Sequence, residues 1–164
     1  MEDTNNTTQL TISEDLILVN QEISSKEDII RKLGGLLFEH GFVKDTYIQA
    51  VLDREIVYPT GLSARVTGVA VPHTDTEHVN NSAVAVATLK DPIIFNGMGA
   101  PKTEVNVYVV MMLAIHDKTQ VINILRKVIL IIEKDEVLQK IWDAKDASTI
   151  KQVMEEHIQS VSIK

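Results

Sequence analysis

The spacing of apolar residues changes along the chain, and each change marks an element. After a polar, aromatic-free opening over 1–13, "DLILVN" (15–20) is a short continuous apolar run, the pattern of a buried strand. Residues 1–12 are expected to form a flexible tail, with one domain running from 13 to 164. Ser24 and Glu27 have capping-box spacing, and Ile29, Leu33, Leu36 and Leu37 recur on one helical face up to a stop at Gly41. This predicts a helix over about 25–40. Asp45 is placed to cap a second helix carrying Ile48, Val51, Leu52 and Glu55, which "YPTG" (58–61) breaks. Arg54 falls near its end.

The period then shortens. "TGVAV" (67–71), "SAVAVATL" (82–89), "PIIF" (92–95) and "EVNVYVVMMLA" (104–114) are rich in Val, Ala and Ile and bounded by Pro, Gly and Asn, which predicts strands. From Asp117 the helical spacing returns. Asp117 and Gln120 are spaced as a capping box, and Val121, Leu125, Val128 and Ile132 follow on one face. Two shorter helices are expected near 135–143 and 147–158. There is no internal repeat or low-complexity tract. The fold class implied is α/β: a single-domain sandwich with a mixed, mostly parallel sheet of about five strands flanked by helices.

Composition removes several chemistries. At 164 residues, 45% hydrophobic and 24% charged, the chain suits one globular domain. It has no cysteine, which excludes disulfides, thiolate metal sites and cysteine nucleophiles. A net charge of −7 gives no global field for nucleic acid or anionic lipid. No apolar run approaches the ~20 residues that span a bilayer, and the opening lacks the regions of a signal peptide. A cytoplasmic protein with no direct membrane insertion and no bound nucleic acid is expected.

Histidine chemistry is what remains, and two of the five histidines fall at expected strand ends. His73 follows Pro72 after "GVAV", and His116 follows "VVMMLAI" just before Asp117. Ligands gather beyond the carboxyl ends of strands in α/β sheets, so parallel strands would bring these histidines to one edge. A neutral imidazole can attack phosphorus and hold the phosphoryl group for onward transfer. Arg54 and the N–H groups after Asp117 would then offer donors to its oxygens. The alternative is a metal held by His73, Asp75, Glu77 and His78, although their spacing matches no standard zinc motif. The generic alternative is a solvated loop histidine. His40 and His157 read as solvated helix-end residues, Met111 and Met112 as core, and Trp142 as a packing residue on a terminal helix.

"DREIVYPTGL" (53–62), "GVAVPHTD" (68–75) and "LAIHDKTQVINIL" (113–125) resemble, in order and spacing, the enzyme IIA component of the bacterial sugar phosphotransferase system, mannitol and fructose superfamily. The "YPTGL" phrase is most similar to the galactitol-type branch. The resemblance implies that His73 accepts a phosphoryl group from the general phosphocarrier protein HPr and passes it to a cysteine of enzyme IIB, which serves a membrane IIC transporter. It implies that His116 and Arg54 support the phosphorylated state, and it implies no cofactor and no metal. Thr60 and Gly61 adjoin the site, and His78 has no assigned part. The competing implication is a regulatory IIA-like module, of nitrogen or transcription-regulator type, whose phosphorylation controls partner binding.

Overall fold

The computed structural model describes residues 10–158, which form a three-layer α/β/α domain. In chain order the elements are β1 (Ile17–Gln21), α1 (Lys26–Glu39), α2 (Tyr47–Val57), β2 (Gly61–Ser63), β3 (Gly68–Ala70), β4 (Ala83–Gly97), β5 (Ala100–Ala114), α3 (Val121–Glu133), α4 (Asp135–Asp143) and α5 (Ala147–Ile158). The five-strand sheet is mixed, as expected. β1 runs parallel to β4, and β3 runs parallel to β5. The longest ladder is antiparallel, between β4 and β5, so the weight of the sheet lies on a hairpin rather than on parallel pairs. That hairpin turns through Gly99, whose φ of 72° suits a residue without Cβ. β2 pairs antiparallel with β3, and its Gly61 reaches Gly97 of β4.

Alternation along the hairpin separates two cores. Val84 and Val86 face α3, α4 and α5, while Ala83, Ala85 and Ala87 face α1 and α2. On β5, Val107 belongs to the α1 side and Val109 to the other, because the register shifts around Tyr108 and the face changes there. α3 buries Ile124, Val128, Ile131 and Ile132 against the sheet, each contributing about 1.5–3 kcal/mol. On the opposite side Tyr47 is fully buried, and its hydroxyl donates to the Leu113 carbonyl at 2.7 Å.

Several boundaries differ from the sequence expectation. The folded part begins earlier than 13: Leu10 and Ile12 are buried and Thr11 bridges Ala83, whereas residues 1–9 of the expected tail lie outside the described residues. "SAVAVATL" and "PIIF" are one strand, β4, which passes Pro92 through an irregular stretch where residues 90–92 are exposed and the ladder slips. Ser25, not Ser24, caps α1 by accepting from the Asp28 N–H, and α2 begins after Thr46 rather than at an Asp45 cap. The last two helices match 135–143 and follow 147–158.

Candidate functional site

His73 stands where β3 ends. β3 and β5 run parallel, so the residues after each strand emerge at the same edge of the sheet. Pro72 has no N–H to extend a ladder, but its carbonyl accepts from Leu113 N at 3.0 Å, which anchors the exit of the strand to β5. His73 is half-buried, and its Nδ1 lies 2.8 Å from the Val71 carbonyl oxygen. A carbonyl can only accept, so Nδ1 carries the proton and the neutral ring leaves its lone pair on Nε2. Burial pushes the imidazole below its ordinary value, and the Arg54 guanidinium adds to this against the opposing pull of the Val71 carbonyl and Asp75. The ring is therefore neutral and nucleophilic at cellular pH.

A cleft of about 380 Å³ opens beside it, lined by Arg54 of α2, His73, the segment Thr74–Glu77, and Lys118, Val121 and Leu125 at the start of α3. Arg54 Nη1 lies 3.7 Å from Asp75 Oδ1, and its guanidinium stands 5.2 Å over the Tyr58 ring. Its Nε is buried and has no hydrogen-bond partner among the described residues. The approach to α3 is shaped by Asp117, whose carboxylate accepts from the Thr119 N–H and hydroxyl at 2.9 and 2.8 Å. These two bonds hold the Asp117 carboxyl below its ordinary value. A helix start and two cations beside a neutral imidazole make a setting for an anion.

His116 occupies the same sheet edge, just past β5, but is not among the residues lining the cleft. Its backbone N–H donates to Ser82 Oγ at 2.9 Å and its Nδ1 to the Val79 carbonyl at 3.1 Å, so its Nε2 is the ring nitrogen left free. His78 turns away: its Nδ1 lies 2.8 Å from the Thr46 hydroxyl. Asp75 is engaged with Arg54, and no group of three or more His, Asp or Glu is placed to hold a metal ion among the described residues. Thr60 and Gly61 do not line the cleft either, but Thr60 is bonded to Glu55 within α2: Oε2 accepts the Thr60 N–H at 2.8 Å and Oε1 accepts its hydroxyl at 2.9 Å. Glu55 and Lys118 were not singled out by sequence reasoning. A carboxylate on the apolar face of a helix was the available signal for the first; nothing distinguishes Lys118 from other lysines.

No helix among the described residues is long and apolar enough to cross a membrane. Residues 11–157 match the family described as "Phosphoenolpyruvate-dependent sugar phosphotransferase system, EIIA 2". The chain is 34% identical over 147 residues to a mannitol-specific phosphotransferase enzyme IIA component of Staphylococcus aureus, covering 88% of this chain and 94% of that protein. It is 34% identical over 89 residues to the transcriptional regulator ManR of Bacillus subtilis, which covers 54% of this chain and 12% of that one. Its fold superposes on enzyme IIAMtl from Escherichia coli, solved in complex with phosphorylated enzyme IIBMtl, with a TM-score of 0.74 at 20% identity, over 90% and 99% of the two chains. By sequence and by fold, the chain belongs to the EIIA 2 family of the sugar phosphotransferase system, whose components are phosphotransferases that work through a phosphohistidine.

Proposed function

We propose that His73 is the phosphoryl carrier, that it receives the group from the phosphohistidine of HPr, and that it delivers the group to a cysteine of enzyme IIB. The observation that carries this is the engagement of Nδ1 with the Val71 carbonyl, which leaves Nε2 as the nucleophile of a half-buried ring lining the cleft. Nε2 attacks phosphorus, a P–N bond forms, and the P–N bond of the donor breaks with its electron pair returning to the donor imidazole. The phosphorylated ring retains Nδ1–H and so carries a positive charge, which the Val71 carbonyl stabilises. That charge also makes the ring a good leaving group: when the IIB thiolate attacks phosphorus, the P–N pair returns to Nε2 and a neutral imidazole is restored. Arg54 supports both steps, because the acceptor its buried Nε lacks is an oxygen of the kind a phosphoryl group brings. His116 is assigned a supporting role at the same edge.

The docking face is the rim of this cleft. Tyr58, whose ring lies under the Arg54 guanidinium, is 62% exposed, and Ile122, next in the chain to the cleft residue Val121, is 67% exposed. Such an apolar rim around a charged centre suits two partners that dock in turn, with contacts small enough for quick release, under about 1,200 Å² each. Through IIB the group reaches a membrane IIC transporter, with this chain working in the cytoplasm. The cargo is a hexitol: "YPTGL" favours a galactitol-type system, whereas the Staphylococcus aureus relative bears a mannitol-specific name and supports mannitol. The similarity to ManR favours a second reading, a regulatory module whose phosphorylation alters partner binding. Incubation with phosphoenolpyruvate, enzyme I and HPr, followed by intact mass measurement, is expected to add one acid-labile phosphoryl group. Passage of that group to a hexitol IIB supports transport, and its retention in the presence of the galactitol and mannitol IIB proteins supports the regulatory reading. Failure to gain it overturns both.

A further inference from the structure

We propose that Glu55 is a positioning residue for His73, acting through Thr60 and Val71; this rests on the reading of His73 as the carrier. Four hydrogen bonds connect the two side chains. Both Glu55 oxygens accept from Thr60, from its N–H at 2.8 Å and from its hydroxyl at 2.9 Å. The Thr60 carbonyl accepts from Val71 N at 3.3 Å. The Val71 carbonyl accepts from His73 Nδ1 at 2.8 Å. The final bond sets both the tautomer and the direction in which Nε2 points.

A carboxyl at this position is costly for a residue that only packs. Glu55 is 5% exposed, it lies in the last turn of α2 where the helix dipole disfavours negative charge, and among the described residues no cation pairs with it directly. Lys26 of α1 donates to Asn96 at 2.9 Å, and Arg54 of α2 faces Asp75, so both act on Glu55 only at a distance. Among the described residues its hydrogen bonds go to Thr60 alone. Thr60 immediately precedes the short strand β2, and past β3 the chain is held at Val71 by its N–H to the Thr60 carbonyl and at Pro72 by its carbonyl, which accepts from Leu113 N. Releasing Thr60 frees one of the two supports that fix the Val71 carbonyl. A displacement of about 1 Å at a reacting group is enough to cost on the order of a hundredfold in rate.

The test separates acceptance, docking and ring state. Glu55→Leu fills a similar volume but accepts nothing, whereas Glu55→Gln keeps both bonds if the Thr60 hydroxyl turns to accept from the amide. Single-turnover transfer from phosphorylated HPr is measured for each, together with the ¹⁵N spectrum of the His73 ring in the unphosphorylated protein. Glu55→Leu is expected to accept about tenfold or more slowly at an unchanged KM for HPr, and to show a mixture of ring tautomers. Glu55→Gln is expected to recover most of the rate and the single Nδ1–H tautomer. A folded Glu55→Leu protein with the wild-type rate and a single tautomer overturns the proposal. If that variant does not fold, Thr60→Val and Thr60→Ser decide: the valine form is expected to be slower with mixed tautomers, and equality of the two overturns the proposal. A wild-type protein that takes no phosphoryl group on His73 would sink the carrier assignment instead, and the ring spectrum would still judge Glu55.

Discussion

Glu55 also makes stability depend on pH in an unusual direction. Burial pushes its carboxyl up to about 6, against the opposing effects of the Thr60 N–H and hydroxyl, Lys26 and Arg54. The ordinary value is 4.5, so the folded state binds this proton more tightly than the unfolded chain does. Stability from this group is therefore greatest below the unfolded value and falls as pH rises through about 6, opposite to the usual paired carboxylate. A shift of this size corresponds to about 2 kcal/mol of destabilisation at neutral pH, released on acidification. Glu55→Gln removes the titration while keeping the shape. Urea unfolding of both proteins at about pH 8 and about pH 4.5 isolates the effect, since all other titrating groups are common to the pair. The glutamine variant is expected to gain up to about 2 kcal/mol on the wild type at the higher pH and to lose that advantage at the lower. A difference that is the same at both pH values, or of opposite sign, would show that the Glu55 carboxyl is not raised in the folded state.

Other perturbations address the cleft and the sheet. His73→Ala is expected to abolish phosphoryl acceptance, Arg54→Ala to retain it at a rate lowered about a hundredfold, the usual effect of removing one preorganised donor, and His116→Ala, which lies outside the cleft lining, to retain it with a smaller loss; single-turnover kinetics checks this. Asp75→Asn removes the carboxylate that raises the His73 value, so the ring is expected to titrate lower still, read from its NMR chemical shift against pH; an upward movement contradicts the assignment of charges. Gly68→Ala drives a Cβ against the Asn106 carbonyl oxygen where β3 meets β5, and is expected to cost about 3 kcal/mol in urea unfolding.

The strand-end histidines were legible because local chemistry and topology agree there. "GVAV" is too apolar to be a surface segment, Pro72 ends it, and the long 104–114 run could only be a central strand. Once both lie in one sheet and run parallel, His73 and His116 reach the same edge. The neighbours of His73 were less legible. Arg54 is legible as a donor near the end of α2, and the family resemblance adds to that reading, but its bonding to Asp75 across the cleft has no local signature. Thr60 looked like part of a breaker because β2 is three residues long, too short to show a period, and is held by pairing with β3 rather than by its own pattern. Glu55 fitted the helical face without explanation; its meaning depends on a loop that folds back onto it. Likewise Pro92 read as a strand boundary, whereas the long hairpin carries the strand past it with an irregularity in the ladder.

The carrier role proposed for His73 puts the phosphoryl group on Nε2, because Nδ1 is committed to the Val71 carbonyl. The most direct measurement is the ¹⁵N spectrum of the imidazole after phosphorylation by HPr, with the nitrogen–phosphorus coupling resolved. Coupling is expected at Nε2 of His73, with a proton retained on Nδ1. Coupling at Nδ1, or at any other residue, would contradict it.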